Sequence, residues 1–406
     1  MRLLFFSNIF PSPIEPVKGT FNRSLVRALS NDHAVRVVSP VAWTHELAAR
    51  WKRRPAIDRS QAHEVGGVLT EYPRFIYPPK LFRRHYGEFL WRSVGRQLLA
   101  TLKDFRPDAV VAYWTHPDGE VAVRAAQQSG IPSVVMTGGS DVLLLAKQRS
   151  RRSQILDVLH RADAVVAVSA HIAASLVDAG ISPQKIHVVY RGVDRECFCP
   201  GSQTSARERL GIDVRRKVLV SVGRLVPVKG FPTFLHACQL LKSKQERFSA
   251  YIVGHGPRER SLKRQIGALR LDEMVHLAGA REPSELADWY RAADLVVLPS
   301  YSEGIPNVLL EAICCGSSFV ASDVGGVSEI ADPMMDRLVE PNDPMELADA
   351  IAKRLACPEV NGPRTFEPSS WKESARALVS VVQSTLHGGQ FALIPVPRPA
   401  TLTRKS

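Results

Sequence analysis

Short runs of apolar, often β-branched residues recur along this 406-residue chain, and helical patterns separate many of them. In the first half the strand candidates are Arg2–Phe6, Ala34–Ser39, Ala109–Tyr113, Ser133–Thr137, Ala164–Val168 and Ile186–Tyr190. Helical patterns such as Phe21–Leu29, Glu120–Ser129 and His171–Ala179 fall between several of them. The second half repeats the scheme with Lys217–Val222, Ala250–Val253, Val275–Leu277, Leu295–Pro299 and Phe319–Ser322. A strand apolar at consecutive positions is covered on both faces, so the pattern predicts α/β domains on parallel sheets.

The chain is too long for one ordinary core, which predicts two domains. A polar stretch containing Pro200-Gly201-Ser202 marks the break. The expected layout is a Rossmann-like domain over 1–199, a linker over 200–213 and a second Rossmann-like domain over 214–369. An amphipathic helix over 370–388, opening with Ser370-Trp371, is expected to return toward the first domain. The tail 389–406, with Pro395, Pro397 and Pro399, reads as disordered. Two such domains are expected to face one another across a cleft, and parallel sheets bind ligands beyond the carboxyl ends of their strands.

Net charge is +13, and it is uneven. Residues 1–200 hold 27 Lys and Arg against 17 Asp and Glu, the remainder 26 against 23. Within 50–106 the count is 13 against 5, which suggests a surface for phosphates or other anions. No recognisable nucleic-acid module accompanies the charge, which argues against that partner. The six cysteines form no C-x-x-C pair and no zinc spacing with histidine, so buried free thiols in a reducing compartment are expected. The apolar stretch at the N-terminus is too short for a signal peptide, and no run approaches the ~18 residues of a spanning helix. A cytoplasmic protein is the expectation.

Ser300–Ala312, SYSEGIPNVLLEA, follows a buried strand and sets two glutamates eight positions apart. Gly304 and Pro306 allow a tight path into a helix from Asn307, whose free N–H groups and dipole suit an anion. Glu303 stands beside that site and Glu311 one turn inside the helix. A capped helix with two stray acids would leave them idle. The alternative is a ligand with a central diphosphate, a ribose held by Glu311 and a sugar held by Glu303. Ser221–Phe231, SVGRLVPVKGF, adds Arg224 and Lys229 around a strand-to-helix loop, and Gly230 lets backbone come close. Such a pair is a solvated surface in some loops and a diphosphate clamp in others. No D-x-D and no other metal-binding cluster is visible, so fixed cations would offset the charge of a departing diphosphate. In the first half, Lys18–Asn22 reads KGTFN: either an ordinary turn, or a place where Gly19 lets backbone approach a phosphate.

EGIPNVLLEA, VGRLVPVKG, RADAVVAVSAHIAASL with KIHVVYRGVD, and VASDVGGVSEI occur in the order of one known family. Together they resemble the retaining nucleotide-sugar glycosyltransferases of family 4, which have the GT-B fold, over about residues 1–388. FPSPIEPVKGTF is similar to members that build bacterial cell-surface polysaccharides. The resemblance implies a nucleoside-diphosphate-sugar donor, retention of anomeric configuration by same-face substitution, and no cofactor or metal. It puts Glu303 on the donor sugar, with backbone N–H groups in the stretch Gly304, Ile305, Pro306 and Asn307, proline itself having none, near sugar and phosphate. It puts Glu311 on the ribose, Arg224 and Lys229 on the diphosphate, and the base near Gly254, Ala280 and Arg281. Glu303, Lys229, Arg224, Asp141 and His116 are the implied catalytic set.

Two departures stand out. Where the family often has His-Gly-Ser-Asp, with the His on the donor sugar, this chain has Gly138-Gly139-Ser140-Asp141, which leaves that contact to Asp141 and the loop backbone, or to His116 of YWTHPDG. Where an Asn is common, YRGVD has Arg191. The implied acceptor is a glycan or a lipid-diphosphate-linked glycan. Arg74–Tyr86, RFIYPPKLFRRHY, and Arg50–Arg54, RWKRR, suit either peripheral contact with an anionic membrane or a solvated basic face over buried aromatics. The alternatives on the same fold are a nucleotide-sugar 2-epimerase and a non-catalytic binder of nucleotide sugars or glycans.

Overall fold

A computed structural model describes residues 1–244, 246–357 and 362–387. The expected tail 389–406, together with Gly388, lies outside the described residues. The chain forms two compact units: Met1–Gly192 with the helix from Trp371 onward, and Val193–Ser370.

The first unit is built on eight strands in the order Ile186–Val188, Ala164–Ala167, Ser133–Met136, Ala109–Tyr113, Arg2–Phe6, Ala34–Val38, Val68–Glu71 and His63–Val65. All neighbours are parallel except the last pair. Ala109–Tyr113, Ser133–Met136 and Ala164–Ala167 are buried along their whole length, whereas Val68–Glu71 near the edge alternates between buried and more open positions. The period of two is visible in the first strand. Leu4 and Phe6 join one apolar layer with Leu90, Val94 and Leu98, while Leu3 and Phe5 join the other. The helix Trp371–Leu386 belongs to that second layer through Leu378 and Val382, beside Leu25 and Leu29 of the helix Thr20–Ser30. Burying such an apolar stripe outweighs the entropy of ordering the segment.

The second unit holds six parallel strands in the order Val275–Gly279, Phe248–Val253, Lys217–Val222, Leu295–Leu298, Phe319–Ser322 and Arg337–Val339. The sequence order reverses on either side of Lys217–Val222, whose neighbours are Phe248–Val253 and Leu295–Leu298. Connections leave this strand in both directions, so their loops diverge at its carboxyl end and leave room for a ligand.

The expected boundary at 199/200 and the linker over 200–213 are corrected. The change of unit falls between Gly192 and Val193, and Gln203–Leu210 is a helix of the second unit. Ser202 caps it by accepting from the Ser205 N–H, and Gly211 ends it in the left-handed conformation. Buried Arg207 anchors it by donating to the Ala292 carbonyl at 3.0 Å and pairing with Asp294 at 2.7 Å. Pro-Gly-Ser is an entry to a capped helix here, and local composition does not separate that from a linker.

Candidate active site

At the switch point, backbone packs against backbone. Gly223 follows the strand Lys217–Val222, and a Cβ at Gly254 would stand 2.0 Å from the Gly223 carbonyl oxygen. The Leu225 N–H donates to the His255 carbonyl at 3.1 Å, so two adjacent loops are stitched together. Ala280 and Arg281 are exposed just beyond the next strand, Val275–Gly279, and the Gly254 N–H donates to the Gly279 carbonyl at 2.8 Å. Gly254, Ala280 and Arg281, assigned from the sequence to the base, thus adjoin one another at neighbouring strand ends.

On the other side of Lys217–Val222, Pro227–Lys229 forms a tight turn that ends at Gly230, with φ +63°. A Cβ at Gly230 would lie 1.8 Å from the Pro299 carbonyl oxygen, so only glycine lets the two loops meet. The Tyr301 N–H also donates to the Val228 carbonyl at 2.8 Å. This lacing brings the Lys229 ammonium to 2.6 Å from a Glu303 carboxylate oxygen. Both side chains are mostly buried, at 20% and 10% exposure, which makes the pair more than a surface contact. Arg224 is exposed, and among the described residues its guanidinium has no ion-pair or hydrogen-bond partner.

Glu303 is held from behind by a glycine pair, Gly325 and Gly326, not singled out from the sequence. A Cβ at Gly325, φ +60°, would meet the Glu303 carbonyl oxygen at 1.8 Å, and the Gly326 N–H donates to the Gly304 carbonyl at 2.9 Å. The doublet in VASDVGGVSEI is the signal that could have found them. Gly304, Ile305 and Pro306 are buried, and the chain turns at Pro306 into the helix Asn307–Cys314, which has no side-chain cap. Glu311 lies four residues after Asn307, on the same helix face. Its Oε2 accepts from the buried Tyr290 hydroxyl at 2.8 Å, a partner the sequence did not reveal. Burial pushes the Glu311 carboxyl up to about 7, against the lowering effect of that hydrogen bond.

The first-unit residues present a different picture. Asp141 is fully buried: Oδ1 accepts from the N–H groups of Gly138, Gly139 and Val142, and Oδ2 from that of Thr115. These bonds hold its own loop and tie it to the segment Thr115–Gly119. His116 is buried as well, with Nε2 3.3 Å from the Glu120 carboxylate but not aligned for a hydrogen bond. Asp118, not singled out from the sequence, accepts from the Asn8 N–H at 3.0 Å and steadies the loop after the first strand. Gly19 is buried, φ +66°, and a Cβ there would lie 2.3 Å from the Ile9 carbonyl oxygen. The close approach it permits is made by the chain itself.

Gly138 has a steric reason. A Cβ there would stand 2.5 Å from the Tyr113 hydroxyl and 2.9 Å from the Trp114 ring. Arg191 donates to the Tyr113 hydroxyl at 2.5 Å, and its guanidinium lies 4.6 Å from the centre of the Phe21 ring. The two departures noted in the sequence therefore meet in one cluster.

Two family models match. Residues 202–376 match glycosyl transferases group 1, and residues 19–197 match glycosyltransferase family 4. The teichuronic acid biosynthesis glycosyltransferase TuaC of Bacillus subtilis (strain 168) is 27% identical, over the full length of both chains. A D-inositol 3-phosphate glycosyltransferase of Frankia alni is 32% identical over 61% of this chain and 65% of its own. Among solved structures, a sucrose-phosphate synthase from Thermosynechococcus elongatus superposes with TM-score 0.73 at 20% identity, over 95% of this chain and 94% of that one. Anabaena Alr3699/HepE in complex with UDP-glucose gives TM-score 0.69 at 19% identity, over 96% and 99%.

Proposed function

The chain belongs to the group 1, family 4 glycosyltransferases, with the GT-B fold, and from that premise we propose a retaining transfer from a nucleoside-diphosphate sugar to a glycan or lipid-diphosphate-linked acceptor, in cell-surface polysaccharide biosynthesis. The observation that carries the reading is the Lys229–Glu303 pair at 2.6 Å, set at the strand-order switch with exposed Arg224 on one flank and Glu311 on the other.

An ammonium has three N–H donors, and Glu303 uses one of them. Lys229 can therefore hold a diphosphate oxygen without releasing Glu303, and Arg224 supplies a second cation. Held by Lys229, Glu303 keeps its remaining lone pairs for hydroxyls of the donor sugar. Glu311 has one oxygen on Tyr290 and another for the ribose. The acceptor hydroxyl attacks the anomeric carbon on the face from which the diphosphate leaves. The carbon–oxygen bond to the diphosphate breaks, and a leaving phosphate oxygen takes the acceptor proton. Fixed cations that stabilise the departing charge account for the rate, and no metal is needed. The complex of a structural neighbour with UDP-glucose supports the donor class, and the relative named for teichuronic acid biosynthesis supports the polysaccharide role. The basic first half supports an acceptor presented at an anionic membrane.

The test is transfer from an anomerically pure donor, followed by proton NMR with and without chelator. The expected product keeps the donor's anomeric configuration, at the same rate in both samples. An inverted product removes same-face substitution, and strict dependence on a divalent ion removes the fixed-cation account.

A further inference from the structure

Five large apolar side chains in two segments of the first unit face solvent: Leu47 and Trp51, then Ile76, Leu81 and Phe82. Trp51 is 92% exposed and Phe82 64%. Single exposed apolar residues need no explanation, but these segments are joined. Val41–Ala42 pairs in parallel with Arg74–Phe75, Trp43 donates from Nε1 to the Tyr77 carbonyl at 2.8 Å, and Glu46 pairs with Arg74 at 2.8 Å. Trp43, Leu47, Arg50 and Trp51 share one face of the helix Trp43–Trp51, because they are spaced by three, four and seven. That face starts at Tyr77.

From Tyr77 the chain makes an exposed excursion and returns. Tyr86 closes its base, with the ring 4.8 Å from Tyr77 and the hydroxyl donating to the Pro78 carbonyl at 3.2 Å. Every residue from Pro79 to His85 is exposed, so Leu81 and Phe82 stand at its tip between Lys80, Arg83 and Arg84. Segments 47–54 and 76–85 together contain seven Lys and Arg and no Asp or Glu. Apolar tips surrounded by unopposed cations complement a surface that is negative outside and hydrocarbon within.

We propose that the helix face Leu47–Trp51 and the excursion Pro79–His85 form one docking surface for an anionic lipid bilayer. Trp51, Leu81 and Phe82 enter the headgroup boundary, and Arg50, Lys52, Arg53, Lys80, Arg83 and Arg84 meet lipid phosphates. The proposal rests on the reading of a membrane-presented acceptor, and it names the surface that reading lacks.

The experiment is co-sedimentation of the full chain with neutral phosphatidylcholine vesicles, and with vesicles that also contain phosphatidylglycerol. The full chain should sediment with the anionic vesicles only and be released by salt. Arg83→Gln with Arg84→Gln should weaken partition roughly 10- to 30-fold, and Trp51→Ser with Phe82→Ser should weaken it at moderate salt. Both variants should keep the wild-type melting temperature. Equal retention on neutral vesicles, or wild-type retention of both variants, overturns the proposal. An acidic protein or a nucleic acid as the true occupant would give this same failure on vesicles. Donor turnover, measured without vesicles, should be unchanged in both variants. Loss of turnover in wild type would sink the functional reading while leaving the vesicle result intact.

Discussion

Glu311 has to satisfy two demands on one carboxyl. Burial raises its proton affinity to about 7, while a ribose diol is held best by the ionised form. Donor binding should therefore weaken as pH falls through about 7, because protonation removes an acceptor lone pair. From pH 7.5 to 6 the KM for donor should rise by a factor approaching ten. In Glu311→Gln it should be higher than wild type at neutral pH and flat with pH. A wild-type KM that falls on acidification, or a slope retained in the glutamine variant, contradicts the ribose role. The same shift makes Glu311 a cost to the ligand-free fold. Its folded value lies above the unfolded value of 4.5, so stability drops as pH rises from about 4.5 to about 7. At this scale the sequence identified side-chain types but not their pairings. Lys229 and Glu303 are 74 positions apart, and nothing local says that they touch. Asp141 shows the same limit, since its place in a conspicuous loop does not tell that four backbone N–H groups converge on its carboxylate.

Loops at the strand ends are held to one another by glycines, and this belongs to the scale of elements. Gly325 and Gly211 both have a left-handed backbone, φ +60° and +66°, but only Gly325 has a neighbour where a Cβ would go. Gly211→Ala should cost roughly 1 kcal/mol, the price of the backbone alone. Gly325→Ala adds a collision with the Glu303 carbonyl, so it should destabilise by roughly 2–4 kcal/mol and weaken donor binding as Glu303 moves. Denaturant titration and donor KM for the two variants check this. Equal losses of stability with an unchanged KM would show that the Gly325 loop does not support Glu303. Much of the sheet was legible because these strands are short, mostly apolar runs: Arg2–Phe6, Ala109–Tyr113, Lys217–Val222 and Phe319–Ser322 have the expected bounds. His63–Val65, Val68–Glu71 and Arg337–Val339 were not, since short strands at or near a sheet edge carry polar residues on their open side.

For the whole molecule, the loops carrying Arg224, Lys229, Glu303 and Glu311 all lie in the contiguous unit Val193–Ser370. The first unit, by contrast, is completed from a distance by the helix Trp371–Leu386. Charge follows the same division, with the basic excess concentrated in the first half. The α/β character and the doubling were readable from periodicity, but the boundary was not, because a capped helix entry and a linker share Pro, Gly and Ser. The central claim is that the loops carrying Arg224, Lys229, Glu303 and Glu311 bind a nucleoside-diphosphate sugar. Its most direct measurement is thermal unfolding of the full chain and of Lys229→Ala against UDP-, GDP- and ADP-sugars. One nucleotide series should raise the wild-type Tm by roughly 5 °C or more near saturation and barely move the variant. No shift with any donor, or the same shift in Lys229→Ala, would contradict it.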